Sequence, residues 1–207
     1  MEVAKQIAHS LLKTGAVKLS PASPFTWVSG WRSPIYCDNR STLGDVQVRE
    51  QIAEAFVNLV RSKYPDVEVV AGVATGAIAH GMLVAAKLKL PFAYVRAERK
   101  EHGLKKVVEG AAVAGKKVVV VEDLVSTGKS SASALVHLKE ENANVLGMAA
   151  IFTYEFDEAR EKFKELGAEL TTLSSYTALV EQALEDGYIQ VSDVEALKKW
   201  RSAPEKF

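Results

Sequence analysis

The chain is short of three things: it has one cysteine, Cys37, three tryptophans, and no excess of either charge among its 207 residues. A single cysteine closes no intrachain disulfide and builds no cysteine-based metal cage, which suits a reducing compartment. Lys and Arg number 26 and Asp and Glu 26, so the broad basic field of a nucleic-acid binder is missing. No apolar run approaches the roughly 20 residues that span a bilayer. At the start of the chain, Lys5, His9 and Lys13 interrupt the apolar residues, unlike the unbroken core of a secretory leader. The expectation is a soluble, cytoplasmic protein without a nucleic-acid or membrane partner. What is present is a globular composition, 48% apolar and 25% charged, with length enough for one domain and a sizeable core.

Val3, Ile7 and Leu11 recur at helical spacing and predict an opening amphipathic helix. Pro21, Pro24, Gly30 and Pro34 then break residues 20–37 into turns and short strands. Val48, Ile52, Phe56, Leu59 and Val60 form one stripe of a long helix over 45–63. Beyond it short apolar runs alternate with helical segments. Strands are predicted at 67–73, 92–96, 118–121 and 145–153, and a shorter one near 170–173. Helices are predicted from just after Gly76 to about Lys87 and at 129–141, 157–166, 176–186 and 194–200, the last with Ser192 and Glu195 as a capping box. This order predicts an α/β fold, a parallel sheet flanked by helices. It amounts to one domain, with an α/β core over about 50–173, a small N-terminal hood mainly over 1–40, and C-terminal helices over 176–200. In such sheets ligands sit beyond the carboxyl ends of the strands.

The segment 117–130 reads as a strand, two acids, then the small residues Ser126, Thr127 and Gly128 opening a helix at Lys129 and Ser130. Small residues let backbone amides approach an anion, and the helix N-terminus adds unpaired N–H groups and the positive end of its dipole. Gly128-Lys129-Ser130 matches the end of a P-loop, but that motif needs a glycine where Asp123 stands. A phosphoacceptor aspartate leaves the small-residue loop unexplained. Glu122 and Asp123 make sense instead as acceptors for the 2′- and 3′-hydroxyls of a ribose whose 5′-phosphate lies in the loop. A solvated strand end with a capped loop is the plain alternative; strand, loop and helix in unbroken order favour the cradle. His9, His80 and His137 fall in helical segments and read as structural. Neither Cys37 nor Ser126 has an evident base nearby.

This signature resembles that of the type I phosphoribosyltransferases, and within that family the orotate-using branch. The resemblance implies a 5-phosphoribosyl 1-diphosphate (PRPP) site formed by Arg96, Lys100, His102, Glu122, Asp123, Leu124, Val125, Ser126, Thr127, Gly128, Lys129 and Ser130. It implies a mobile basic loop, Arg96 to Gly103, whose Lys100 and His102 are catalytic and serve the partner subunit of a homodimer. Ala97 takes the place of a lysine frequent in the family. Gly72-Val-Ala-Thr-Gly76 resembles the diphosphate-binding loop, with Ala74–Thr75 as the candidate for a cis peptide. Phe25 to Asp38 resembles the orotate hood, with Tyr36 as an aromatic face, Ser126 as a further orotate contact, and Arg32 as a nearby positive charge. Val28 and Tyr154 stand where relatives carry a lysine and an arginine. For Trp27 and Trp31, packing of the hood is the reading from the residues. Mg²⁺ is implied as cofactor, bound mainly through the diphosphate, with no metal site made by the protein itself. The implied reaction converts orotate and PRPP to orotidine 5′-monophosphate and diphosphate. A purine phosphoribosyltransferase or a PRPP-sensing regulator is the alternative.

Overall fold

The computed structural model describes residues 2–27, 30–96 and 106–206. The chain opens with α1 (Glu2–Lys13) and four short strands, β1 (Val17–Leu19), β2 (Phe25–Thr26), β3 (Arg32–Ser33) and β4 (Ile35–Cys37). A 3-10 turn (Asn39–Gly44) leads to α2 (Val46–Lys63), β5 (Val69–Val73), α3 (Ile78–Leu88), β6 (Phe92–Val95) and β7 (Val108–Gly110). The core continues through β8 (Lys117–Val125), α4 (Lys129–Glu140), β9 (Asn144–Thr153), α5 (Asp157–Glu165) and β10 (Leu170–Ser175). The last elements are α6 (Tyr176–Glu185), α7 (Val191–Ser202) and a 3-10 turn (Pro204–Lys206).

The main sheet has the order β10-β9-β8-β5-β6-β7, parallel except for β7, which runs antiparallel to β6. Its central strands are buried on both faces, which is why β5 and β8 read as unbroken apolar runs rather than alternating ones. β8 outlasts the predicted strand: Glu122, Leu124 and Val125 pair with Ala150, Phe152 and Thr153, so the acids lie within the ladder and not beyond it. Strand β7, a few residues beyond the basic loop, had no sequence expectation. Its three residues alternate too briefly to register, and Arg96 N–H donates to Val107 O (2.9 Å) where the pair closes.

Helix α2 starts where Asp45 accepts from the N–H groups of Gln47 (2.9 Å) and Val48 (3.1 Å), and it buries Val48, Ile52, Phe56 and Val60 against the sheet. The predicted cap of α7 is displaced. Gln190, not Ser192, is the N-cap, and Asp193, not Glu195, completes the box by accepting from Gln190 N–H at 2.9 Å. The helix therefore begins at Val191, one turn before its apolar stripe becomes visible.

In the hood, β1 pairs with β4 and β2 with β3, both antiparallel. Two short hairpins cannot hold themselves together. Their support is aromatic: Trp27 lies 6.3 Å from Trp31, 5.2 Å from Tyr154 and 5.7 Å from Trp200. Trp200 is 0% exposed and donates Nε1–H to Arg32 O (3.0 Å). The tryptophans thus pack the hood, as read from the sequence. Helix α1 lies against α6 and β10, and its Ile7 and Leu11 join the continuous core. Among the described residues no helix is long and apolar enough to cross a membrane.

Candidate active site

The sheet order reverses between β5 and β8, and there the carboxyl ends of two neighbouring strands open a crevice. A cleft of about 600 Å³ lies at this point. Three walls line it: Val73 to Gly76 from the end of β5 and the loop after it, Glu122 to Ser130 (Val125 excepted) from the end of β8 into the start of α4, and Cys37, Asp38 and Arg40 from the hood. The Ala74–Thr75 peptide is cis.

The cradle forms because β8 stays in the ladder to Val125 and then turns at once into α4. Gly128 makes the turn with φ of +75°, a left-handed conformation, while a Cβ there would sit 3.2 Å from the Ala159 Cα. The first amides of α4 face the cleft without intrahelical partners, as at any helix start. Ser126, Thr127, Lys129 and Ser130 all line it. Val125 is fully buried behind the loop, where its carbonyl accepts from Tyr154 N–H (3.2 Å).

The two acids have unlike surroundings. Glu122 is 3% exposed; its Oε1 accepts from Asp123 N–H (2.9 Å) and its Oε2 from the Ser131 hydroxyl (2.9 Å). Burial first, and then the charge and carboxylate of Asp123, push its carboxyl well above the usual 4.5, against the pull of Ser131. Asp123 instead turns toward the diphosphate-type loop. A Cβ on Gly76 would lie 2.1 Å from its Oδ2, so glycine at 76 leaves room for that carboxylate.

Asn39 and Ser131 carried no sequence signal. Asn39 is 1% exposed, donates Nδ2–H to Asp123 O (2.5 Å) and so joins hood to cradle. Its Oδ1 accepts from the Cys37 thiol at 3.4 Å. Burial, with the charges of Asp123 and Asp38, pushes that thiol well up, so it is a hydrogen-bond donor and not a nucleophile. His80 is buried, and that burial pulls its pKa down against the charge of Asp123.

Of the other sequence-predicted residues, Tyr36 is 44% exposed on β4, next to the cleft-lining Cys37, with its ring 5.9 Å from Phe25. Arg96 is not on the cleft wall. Its guanidinium reaches Glu109 (3.1 Å) and lies 5.8 Å from the Tyr94 ring centre, while the His137 Nδ1 is 2.8 Å from its carbonyl oxygen. Arg32 lies on β3 away from the cleft lining. Lys100 and His102, with Ala97, Gly103 and Val28, lie outside the described residues.

Comparison with known proteins accounts for this arrangement. Residues 43–171 match the family model described as "Phosphoribosyl transferase domain". The chain is 50% identical over 205 residues to the orotate phosphoribosyltransferase of Lactococcus lactis subsp. cremoris (strain SK11), covering 99% of this chain and 98% of the relative. It is 47% identical over 207 residues to that of Streptococcus gordonii, covering 100% and 99%. The crystal structure of orotate phosphoribosyltransferase from Aeropyrum pernix superposes with a TM-score of 0.75 at 28% identity, over 89% of this chain and 99% of that one. The cleft, its two loops and its hood therefore sit in a known setting: the chain belongs to the orotate phosphoribosyltransferase family, within the type I phosphoribosyltransferases.

Proposed function

We propose that the chain transfers the 5-phosphoribosyl group of PRPP to orotate, giving orotidine 5′-monophosphate and diphosphate in pyrimidine biosynthesis. One observation carries the reading beyond the family relation: a phosphate cradle, a second glycine-bearing loop and an aromatic-backed hood wall a single cleft. In this reading the amides and hydroxyls of Ser126 to Ser130 hold the 5′-phosphate. Asp123, the less buried acid, accepts the ribose hydroxyls. Glu122 holds Asp123 from behind and contributes its remaining acceptor sites.

Departure of diphosphate leaves positive charge spread over ribose C1 and the ring oxygen, an oxocarbenium-like state. Negative charge grows on the leaving group, and the amides of Ala74 to Gly76 meet it together with Lys100 and His102 of the basic loop. No side-chain nucleophile is needed, which agrees with a Cys37 thiol held protonated. Among the described residues no three His, Cys, Asp or Glu side chains could cage a metal. Mg²⁺ takes one or two carboxylates plus substrate phosphates and keeps several waters; Asp123 is the carboxylate on the wall nearest the diphosphate loop. When bound, the ion neutralises charge on the departing diphosphate. The basic loop closing over the cleft excludes the water that would otherwise capture the sugar. Sharing of that loop between the subunits of a homodimer completes the reading, and Ser126 and Tyr36 are its orotate contacts.

The test is acceptor choice. Purified protein with PRPP and Mg²⁺ is expected to consume orotate and to leave hypoxanthine, guanine and xanthine unchanged. Turnover of a purine alone would overturn the assignment.

A further inference from the structure

A flat acceptor that carries a carboxylate needs a directed cation beside its ring, and the strands and turn of the hood, residues 17–40, offer three candidates among the described residues: Lys18, Arg32 and Arg40. Only Arg40 lines the cleft. Lys18 sits on β1 opposite Tyr36 and Arg32 sits on β3, and neither lines the cleft. Tyr154, which closes the hood from the sheet side, is 2% exposed within the aromatic cluster and has no charge to give.

The geometry of Arg40 is that of a prepared fork. Asp38 grips one edge of its guanidinium, accepting from Nε at 2.7 Å and from Nη2 at 2.8 Å, and accepts from the Arg40 backbone N–H at 3.1 Å. Two of the five N–H groups of a guanidinium are thereby used. The remaining edge, formed by Nη1 and the second N–H of Nη2, has no partner among the described residues. Two parallel N–H groups on that edge match the two oxygens of a carboxylate. Asp38 also fixes the side chain in one orientation, so less rotamer freedom remains to be lost when a ligand binds.

We propose that Arg40, oriented by Asp38, binds the carboxylate of the pyrimidine acceptor and sets the preference for a carboxylated ring; this rests on the orotate reading above. The diphosphate of PRPP is the other anion in the cleft. In the reading above that group is met by the amides of Ala74 to Gly76 and by Lys100 and His102, none of them hood residues. Arg40 also stands on the hood, four residues from Tyr36, while the phosphate-holding residues come from the opposite wall. The carboxylate is therefore its ligand.

The experiment compares wild-type protein with the Arg40→Ala and Arg40→Lys variants in steady-state transfer to orotate and to uracil, together with equilibrium binding of PRPP. Arg40→Ala should raise KM for orotate about 10- to 100-fold, the range for hydrogen bonds to a charged group. PRPP affinity should change less than about threefold, and turnover of uracil, which lacks the carboxylate, should be unchanged. The orotate-to-uracil preference should fall by the same factor as the orotate KM rises. Arg40→Lys keeps the charge and loses the fork, so it should recover only part of the loss. Arg40 is exposed, and thermal melting should stay within a few degrees of wild type. A variant that keeps its orotate KM, or that loses PRPP binding instead, overturns the assignment to the carboxylate. A wild-type protein inert toward orotate overturns the functional reading itself, so the two failures are told apart.

Discussion

The cradle and the hood face each other across one cleft, yet they are built on opposite plans. Every cradle group comes from a contiguous stretch, Lys117 to Ser131, in which β8 supplies the acids, Gly128 the turn and α4 the amides. The hood is assembled from afar. Its two short hairpins rest on Tyr154 and Phe156 after β9 and on Trp200 of α7, more than 100 residues downstream in each case. Geometry set by adjacent residues survives loss of distant packing, whereas geometry set by a shared aromatic cluster fails as a unit. The cradle should therefore break chemically and the hood thermally.

The largest expected effect is at Asp123. Asp123→Ala removes the acceptor for two ribose hydroxyls, and at about 1.5–3 kcal/mol for each bond to a charged group kcat/KM for PRPP should fall about 10²- to 10⁴-fold. A melting temperature near that of wild type should accompany the loss; a drop of less than tenfold would remove Asp123 from ribose binding. Mixing this variant with Lys100→Ala should restore part of the activity in hybrid dimers if the basic loop acts across subunits.

Next comes Trp200→Ala, which empties the centre of the cluster. Truncating a fully buried tryptophan destabilises by about 3–5 kcal/mol, or about 6–20 °C in melting temperature at this length. The folded fraction, assayed well below the transition, should bind PRPP normally and orotate weakly. Equal loss of both would show that hood and cradle are one cooperative unit.

Gly76→Ala is expected to be milder. The new methyl displaces the Asp123 carboxylate, and overpacking of about 1–3 kcal/mol predicts roughly a tenfold loss in PRPP affinity. Isothermal titration with PRPP reads this directly, and an unchanged affinity would mean that the carboxylate rotates away at no cost.

The smallest effect is a slope. Because the folded pKa of Glu122 lies above its unfolded value, the native state binds the more protons once pH passes the usual 4.5. Stability contributed by this group is then lost as pH rises from that value toward its raised pKa. In Glu122→Gln, melting temperature plotted against pH should be flatter over that range than in wild type, by a few degrees at most. A parallel pair of curves would contradict a raised carboxyl pKa at the buried Glu122.

The same contrast explains what was legible in the sequence. Local order, such as Val118 to Val121 followed by two acids and small residues, exposes the cradle because nothing distant is needed to interpret it. The length of β8 was missed, since only its partner β9 keeps Glu122 to Val125 in the ladder. Asn39 was missed for a similar reason: a buried amide in a turn has no pattern until Asp123 O is seen 2.5 Å away. The α7 cap was misplaced because Gln190 and Asp193 satisfy the helix start about a turn before the apolar stripe that begins at Val194. Arg40 follows an aspartate in a polar run, and its fork emerges only when Asp38 folds back on it.

The Asn39 bond to Asp123 O also bears on how such enzymes can be remade. It is the described side-chain hydrogen bond by which the hood grips the acid-bearing strand. A transplanted hood, however well it suits a new base, would need an amide at this position to seat itself at the right height above the sugar. Acceptor exchange by grafting should thus begin from scaffolds that already carry asparagine at position 39, with the base-facing residues varied around it.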